Sequence, residues 1–146
     1  MEVIHHEPHG RASRVVEHNG VLYFEIHAPA DAMKRSMPMY EQASALLHRY
    51  DELLEQYGSD KRHVLRAEII LRRAEDLDEF NRAWTEWVEE GFQPARLTHT
   101  GLILPESVLV GIVITAAKKA VITVEVILIE DSGFMEWEES PAADFP

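Results

Sequence analysis

The sequence predicts a single α/β domain of the α+β kind, with the element order ββαβαββ and two helices lying on one face of a mixed sheet. Three observations carry that prediction: β-type runs near both ends of the domain, two segments between them with apolar residues at three- and four-residue spacing, and a strictly alternating run separating those two segments. A chain of 146 residues that is 46% hydrophobic is long enough to bury one core, so one domain is expected.

The opening strands are Arg14 to Glu17 and Val21 to His27, joined by His18-Asn19-Gly20. Asn-Gly tolerates the positive φ angles of a tight hairpin turn. After a loop from Pro29 to Pro38, Met39, Ala43, Leu46, Leu47, Tyr50, Leu53, Leu54 and Tyr57 fall on one helical face. Pro38 suits the first turn of that helix and Gly58 suits the left-handed residue that ends it. Leu65, Ala67, Ile69 and Leu71 then alternate with Arg66 and Glu68, which predicts a strand with one face on the core. A second helix is expected from Asp76, read as an N-cap with Glu79 three residues on, burying Leu77, Phe80, Trp84 and Val88. Gly91 and Pro94 end it, and the strands Ala95 to Leu102 and Val108 to Ala117 follow.

Residues 1 to 12 are expected to be a flexible segment, and 13 to 129 the domain, with Ala120 to Ile129 read as one more strand. From Glu130 to Pro146 the chain is an acidic tail with a glycine and two prolines. With both helices on one face, the Val, Ile and Leu of the other sheet face would lie bare in a monomer, so self-association is expected.

Charge and composition narrow the function. Twenty-six acidic against 14 basic residues give a formal net charge of −12, which repels polyphosphates and anionic lipid, so neither nucleic acid nor membrane is an expected partner. The chain has no cysteine, which removes thiolate catalysis and disulfides and fits a cytoplasmic location. His5, His6 and His9 lack the spacing of a helical metal site, and no metal is expected there.

Gly58-Ser59-Asp60, Asn81 followed by Trp84, and above all Pro94-Ala95-Arg96 leading to Leu104-Pro105 resemble the RidA/YjgF family of reactive-intermediate deaminases over roughly Ser13 to Ala117. The resemblance implies a homotrimer of chorismate-mutase-like subunits with clefts at the subunit interfaces. It also implies an arginine, here Arg96, gripping the carboxylate of a 2-imino or enamine acid that water converts to a 2-keto acid and ammonia, with no cofactor. An arginine suits that task because its planar fork makes two hydrogen bonds to one carboxylate. Structural ion pairing is the alternative role for Arg96.

Other expected site positions depart from the family pattern. Where the family commonly has the glutamate of a Val-Glu-Ile segment, this chain reads Val110-Gly111-Ile112, and where it often has Ser-Gly-Gln, this chain reads Glu25-Ile26-His27. A family tyrosine near the N-terminus is matched by Ala12. Period two places Glu25 and His27 on one strand face, and imidazole titrates near neutrality, so these two are the candidate proton carriers. The competing role for His27 is a hydrogen bond to a backbone carbonyl. Thr98 and Thr100 share the strand face of Arg96, whereas His99 points the other way, so the threonines, Asn81 and the surface at Gly111 complete the expected binding site. Asn81 has a local capping bond as its alternative. Two functions are therefore expected to compete: an imine or enamine hydrolase, and a trimer that binds a small carboxylate metabolite or a protein partner without turnover. A ribonuclease activity, sometimes attached to the family, finds no basic stripe to support it.

Overall fold

A computed structural model of the chain describes residues 2 to 103 and 105 to 120. The strands β1 (Val3–His9), β2 (Ala12–His18) and β3 (Val21–Phe24) come first, followed by helix α1 (Met39–Gln56), strand β4 (Val64–Leu71), helix α2 (Leu77–Trp87) and strands β5 (Ala95–Thr100) and β6 (Val110–Ala117). One six-stranded sheet has the order β1-β2-β3-β6-β4-β5. Among the described residues only β4 and β5 pair in parallel, on either side of the α2 crossover, and the other pairings are antiparallel. The expected extra strand and acidic tail lie, from Val121 onward, outside the described residues.

The expected mixed sheet with two helices is present, and the registers explain its two faces. Ala67, Ile69 and Leu71 of β4 stand beside Ile114, Ile112 and Val110 of β6, and all six are buried beneath the helices. Helix α1 supplies Met39, Ala43, Leu46, Leu47, Tyr50, Leu53 and Leu54 to this core, the stripe its sequence spacing dictates. Helix α2 adds Phe80, Ala83, Trp84 and Trp87. Asn19 and Gly20 both take positive φ in the β2–β3 turn, and Gly58 does so just after α1, as each turn requires.

Four expectations need correction. Val3–His9, expected to be flexible, is a strand in register with β2 from Val3↔His18 to His9↔Ala12. Its mostly polar, non-alternating sequence hid it, because an edge strand needs little burial once its backbone is paired. The expected strand Val21 to His27 stops at Phe24, and His27 rejoins the sheet through an isolated bridge to Ile112. Leu65 is exposed, because an irregularity between Val64 and Arg66 shifts the alternation and sends Val64 into the core instead. Asp76 makes no side-chain cap at α2: its carboxylate takes both Nε and Nη2 of Arg73, Glu79 pairs with Arg82, and Leu77 stays exposed while Trp87 is buried.

The sheet face away from the helices carries Tyr23 and Leu97, both exposed, with Ile70 and Val113 half-buried between them. Among the described residues no helix is long and apolar enough to cross a membrane.

Candidate functional site

Arg96 sits on β5, an edge strand, in register with Ala67. Because Ala67 belongs to the buried face, Arg96 points to the helix side, where it meets the start of α2. Its guanidinium carbon lies 5.2 Å from the ring centroid of Phe80 and 5.2 Å from that of Trp84. Nε donates to Thr98 Oγ1 at 2.9 Å and Nη2 to Asn81 Oδ1 at 2.6 Å. These contacts pin the plane of the fork with neutral oxygens and aromatic faces, which attract a cation without cancelling its charge. Burial pushes its pKa down, and guanidinium still remains charged at any ordinary pH.

No carboxylate pairs with Arg96 among the described residues. Arg14, Arg49, Arg62, Arg73 and Arg82 each lie within ion-pair distance of a glutamate or aspartate, whereas Arg96, like Arg11, Arg35, Arg66 and Arg72, has no such pair among the described residues. Arg96 differs from those four in lying over two aromatic rings. A half-buried charge lacking a counter-charge is costly, so the arrangement suits an incoming anion. Asn81, for which a cap was the alternative, instead orients the arginine. Phe80 and Trp84 escaped attention as site residues because their i, i+4 spacing reads as core. Thr100 shares the face of Arg96, in register with Leu71. His99 points to the opposite face and bonds Glu68 at 2.8 Å, a contact that holds its pKa above the usual imidazole value.

Glu25 and His27 lie elsewhere. The row across the sheet runs His27, Ile112, Ile69, Thr98, which puts His27 three strand spacings, or about 14 Å, from β5. Ile112 and Ile69 fill that row completely buried, so Arg96 and His27 of one protomer share no cavity along it. Nor do Glu25 and His27 form a side-chain pair: both carboxylate oxygens of Glu25 lie within 3.0 Å of His9 Nε2, while His27 Nδ1 bonds the backbone carbonyl of Glu25 at 2.9 Å. The backbone-bonded alternative for His27 is therefore realised at Nδ1. Burial lowers its pKa below the usual imidazole value.

At Gly111 the site differs from expectation by more than a missing carboxylate. A Cβ placed there would meet Ile26 Cδ1 at 2.8 Å and Cγ1 at 3.2 Å. Ile26, which no sequence signal singled out, occupies the space into which a side chain at position 111 would project. Two of the three histidines of β1 are engaged with carboxylates as well, His6 with Glu17 at 2.9 Å and His9 with Glu25.

The model of the family described as Endoribonuclease L-PSP matches residues 4 to 118, which span both the sheet and Arg96. The chain belongs to the endoribonuclease L-PSP family. It is 36% identical over 107 residues to a RutC family protein of Haemophilus ducreyi, covering 73% of this chain and 89% of that one. The RutC family protein YoaB of Escherichia coli is 34% identical over 110 residues, covering 73% and 90%. Among solved structures, NMB1025 of Neisseria meningitidis, a YjgF family member, matches with a TM-score of 0.76 at 32% identity, over 83% of this chain and 98% of that one. These relatives establish the RidA/YjgF kinship and the L-PSP fold read from Pro94-Ala95-Arg96 and the element order.

Proposed function

We propose that this protein binds small 2-imino or enamine acids by their carboxylate at Arg96 and hydrolyses them to 2-keto acids and ammonia. The observation that carries this reading is the guanidinium itself: half-buried, oriented by Thr98, Asn81, Phe80 and Trp84, and without a carboxylate partner among the described residues. Five N–H donors less the two engaged leave three for a ligand, enough for a forked grip on a carboxylate. In the reaction, water oxygen bonds to the C=N carbon as the π pair moves to nitrogen. Both water hydrogens pass in turn to that nitrogen, the C–N bond breaks as the last O–H pair becomes the C=O π bond, and ammonia leaves. Arg96 fixes the acid, while Glu25 and His27 are the groups able to carry protons.

The site on edge strand β5 is completed, in this reading, by a second copy of the chain in a homotrimer. The bare apolar sheet face supports self-association, since burying it removes Tyr23 and Leu97 from water. An RNA substrate is disfavoured despite the family's name, because a net charge of −12 repels it.

The test generates 2-iminopropionate or 2-iminobutyrate in situ with an amino-acid oxidase and follows keto-acid release. Wild type is expected to accelerate release and Arg96→Ala to lose that acceleration; identical progress curves overturn the proposal. One observation favours a second reading, binding without turnover: Ile26 covers Gly111, the position at which the family commonly has a glutamate. That reading predicts a thermal shift with 2-keto acids, about 2.7 kcal/mol of stabilisation at 100 times the dissociation constant, with no keto-acid release.

A further inference from the structure

We infer that His27, locked as the Nδ1–H tautomer with Tyr50 as its positioning residue, presents a bare Nε2 that accepts the proton of the attacking water. The inference rests on the hydrolytic reading above and assigns its general base.

The tautomer follows from the hydrogen-bond geometry. Nδ1 of His27 lies 2.9 Å from the carbonyl oxygen of Glu25, which can only accept. The second atom near Nδ1 is the Tyr50 hydroxyl oxygen at 3.3 Å, and the Tyr50 proton is already committed to the Ile112 carbonyl at 2.7 Å. Two acceptors therefore surround Nδ1, so Nδ1 carries the hydrogen and Nε2 keeps its lone pair in the neutral ring. Edge contacts at 5.2 Å from Tyr50 and 6.5 Å from Phe24 hold the ring plane. Tyr50 is itself fully buried in α1, so it cannot turn to another partner cheaply.

Nε2 has no hydrogen-bond partner among the described residues, yet no buried side-chain nitrogen or oxygen there lacks one. Nε2 is therefore not a sealed, unsatisfied atom among the described residues, and on this half-buried ring it is the nitrogen left open to a water. The ring resists protonation through burial, with Arg14 on β2 and Arg49 on α1 acting in the same direction. Glu25 opposes them, and its carboxylate is bonded to His9 of β1. A neutral imidazole with an open Nε2 is the form a base needs near pH 7. As the water oxygen bonds to the imine carbon and the π pair goes to nitrogen, Nε2 takes one water proton and returns it to that nitrogen. The ring then carries the remaining O–H proton to the same nitrogen as the C–N bond breaks, the O–H pair becomes C=O, and ammonia departs. Buried Ile69 and Ile112 separate this ring from Arg96 in the same protomer, so the substrate anchored by one copy's arginine meets His27 of the adjacent copy.

Nitrogen-resolved NMR of the histidine rings, with His27 assigned from His27→Gln, reads the tautomer without any substrate. The Nδ1–H pattern is expected, and an Nε2–H pattern overturns the inference. In the imine assay, His27→Ala is expected to lower kcat about 100-fold, at the modest end of general-base effects, with little change in KM and loss of the acidic limb of the pH profile. Tyr50→Phe keeps the buried ring, and is expected to shift that limb and lower kcat while leaving KM near wild type. If Arg96→Ala abolishes turnover but His27→Ala leaves rate and pH profile unchanged, this inference fails and the carboxylate-anchoring reading survives. A wild type that binds keto acids but shows no turnover overturns the base assignment as well, leaving only the binding reading.

Discussion

At the scale of single residues, the unusual positions are those where two side chains have exchanged space. Gly111 and Ile26 form such a pair, so restoring a carboxylate by Gly111→Glu alone forces Ile26 aside. We expect that single change to destabilise the fold by about 1 to 3 kcal/mol, the usual cost of overpacking, and Ile26→Ala to recover part of it in the double variant. Urea denaturation of the four proteins measures the coupling, and additive effects would refute the shared volume. His27 gives a pH prediction with a definite sign. Its folded pKa lies below the ordinary 6.5, so the unfolded chain binds the proton first and stability falls as pH drops from about that value towards the depressed one. Denaturation midpoints of His27→Gln should lose that component of the slope. Arg96 was legible from its Pro-Ala-Arg setting, whereas Ile26 was not, because nothing in a one-dimensional pattern tells which side chain a strand irregularity turns over a glycine.

At the scale of elements, α2 serves packing and, in the proposed carboxylate site, recognition as well. Phe80 is buried in the core while its ring also faces the Arg96 guanidinium. Phe80→Leu should therefore weaken carboxylate binding more than stability, whereas Phe80→Ala should cost about 3 to 5 kcal/mol. Comparing ligand-induced thermal shifts with melting of the free protein separates the two effects. The helices were readable because an apolar stripe of period 3.6 is dense in α1, and five elements followed from period and turn residues alone. The strand β1 was not readable, since its stabilisation comes from backbone pairing with β2, and its side chains are mostly exposed polar groups. The Asp76 cap was misread for a related reason: a nearby arginine competes for the same carboxylate, and local spacing does not reveal the competitor.

At the scale of the whole molecule, the uneven covering of the sheet dominates. One face is sealed by α1 and α2, and the other leaves Tyr23, Leu97 and Ile26 exposed. Sedimentation or light scattering is expected to report a particle near three times 16.7 kDa. Leu97→Lys, which places a charge at the β5 edge of the bare face, should shift the population towards smaller species and reduce turnover without unfolding the subunit. A wild type that sediments as a monomer would remove the shared site from consideration. The expectation of self-association came from counting faces, but which surfaces meet lies beyond any single-chain pattern.

The solitary guanidinium sets recognition against durability. Exchanging Arg96 for methionine would keep its packing on Phe80 and Trp84 and abolish the standing penalty of a cation held partly out of water. The resulting protein should melt higher than its parent and ignore carboxylates altogether. In the proposed role of Arg96, heat tolerance and ligand capture thus pull this one position in opposite directions, and a screen for thermostable variants would tend to discard it.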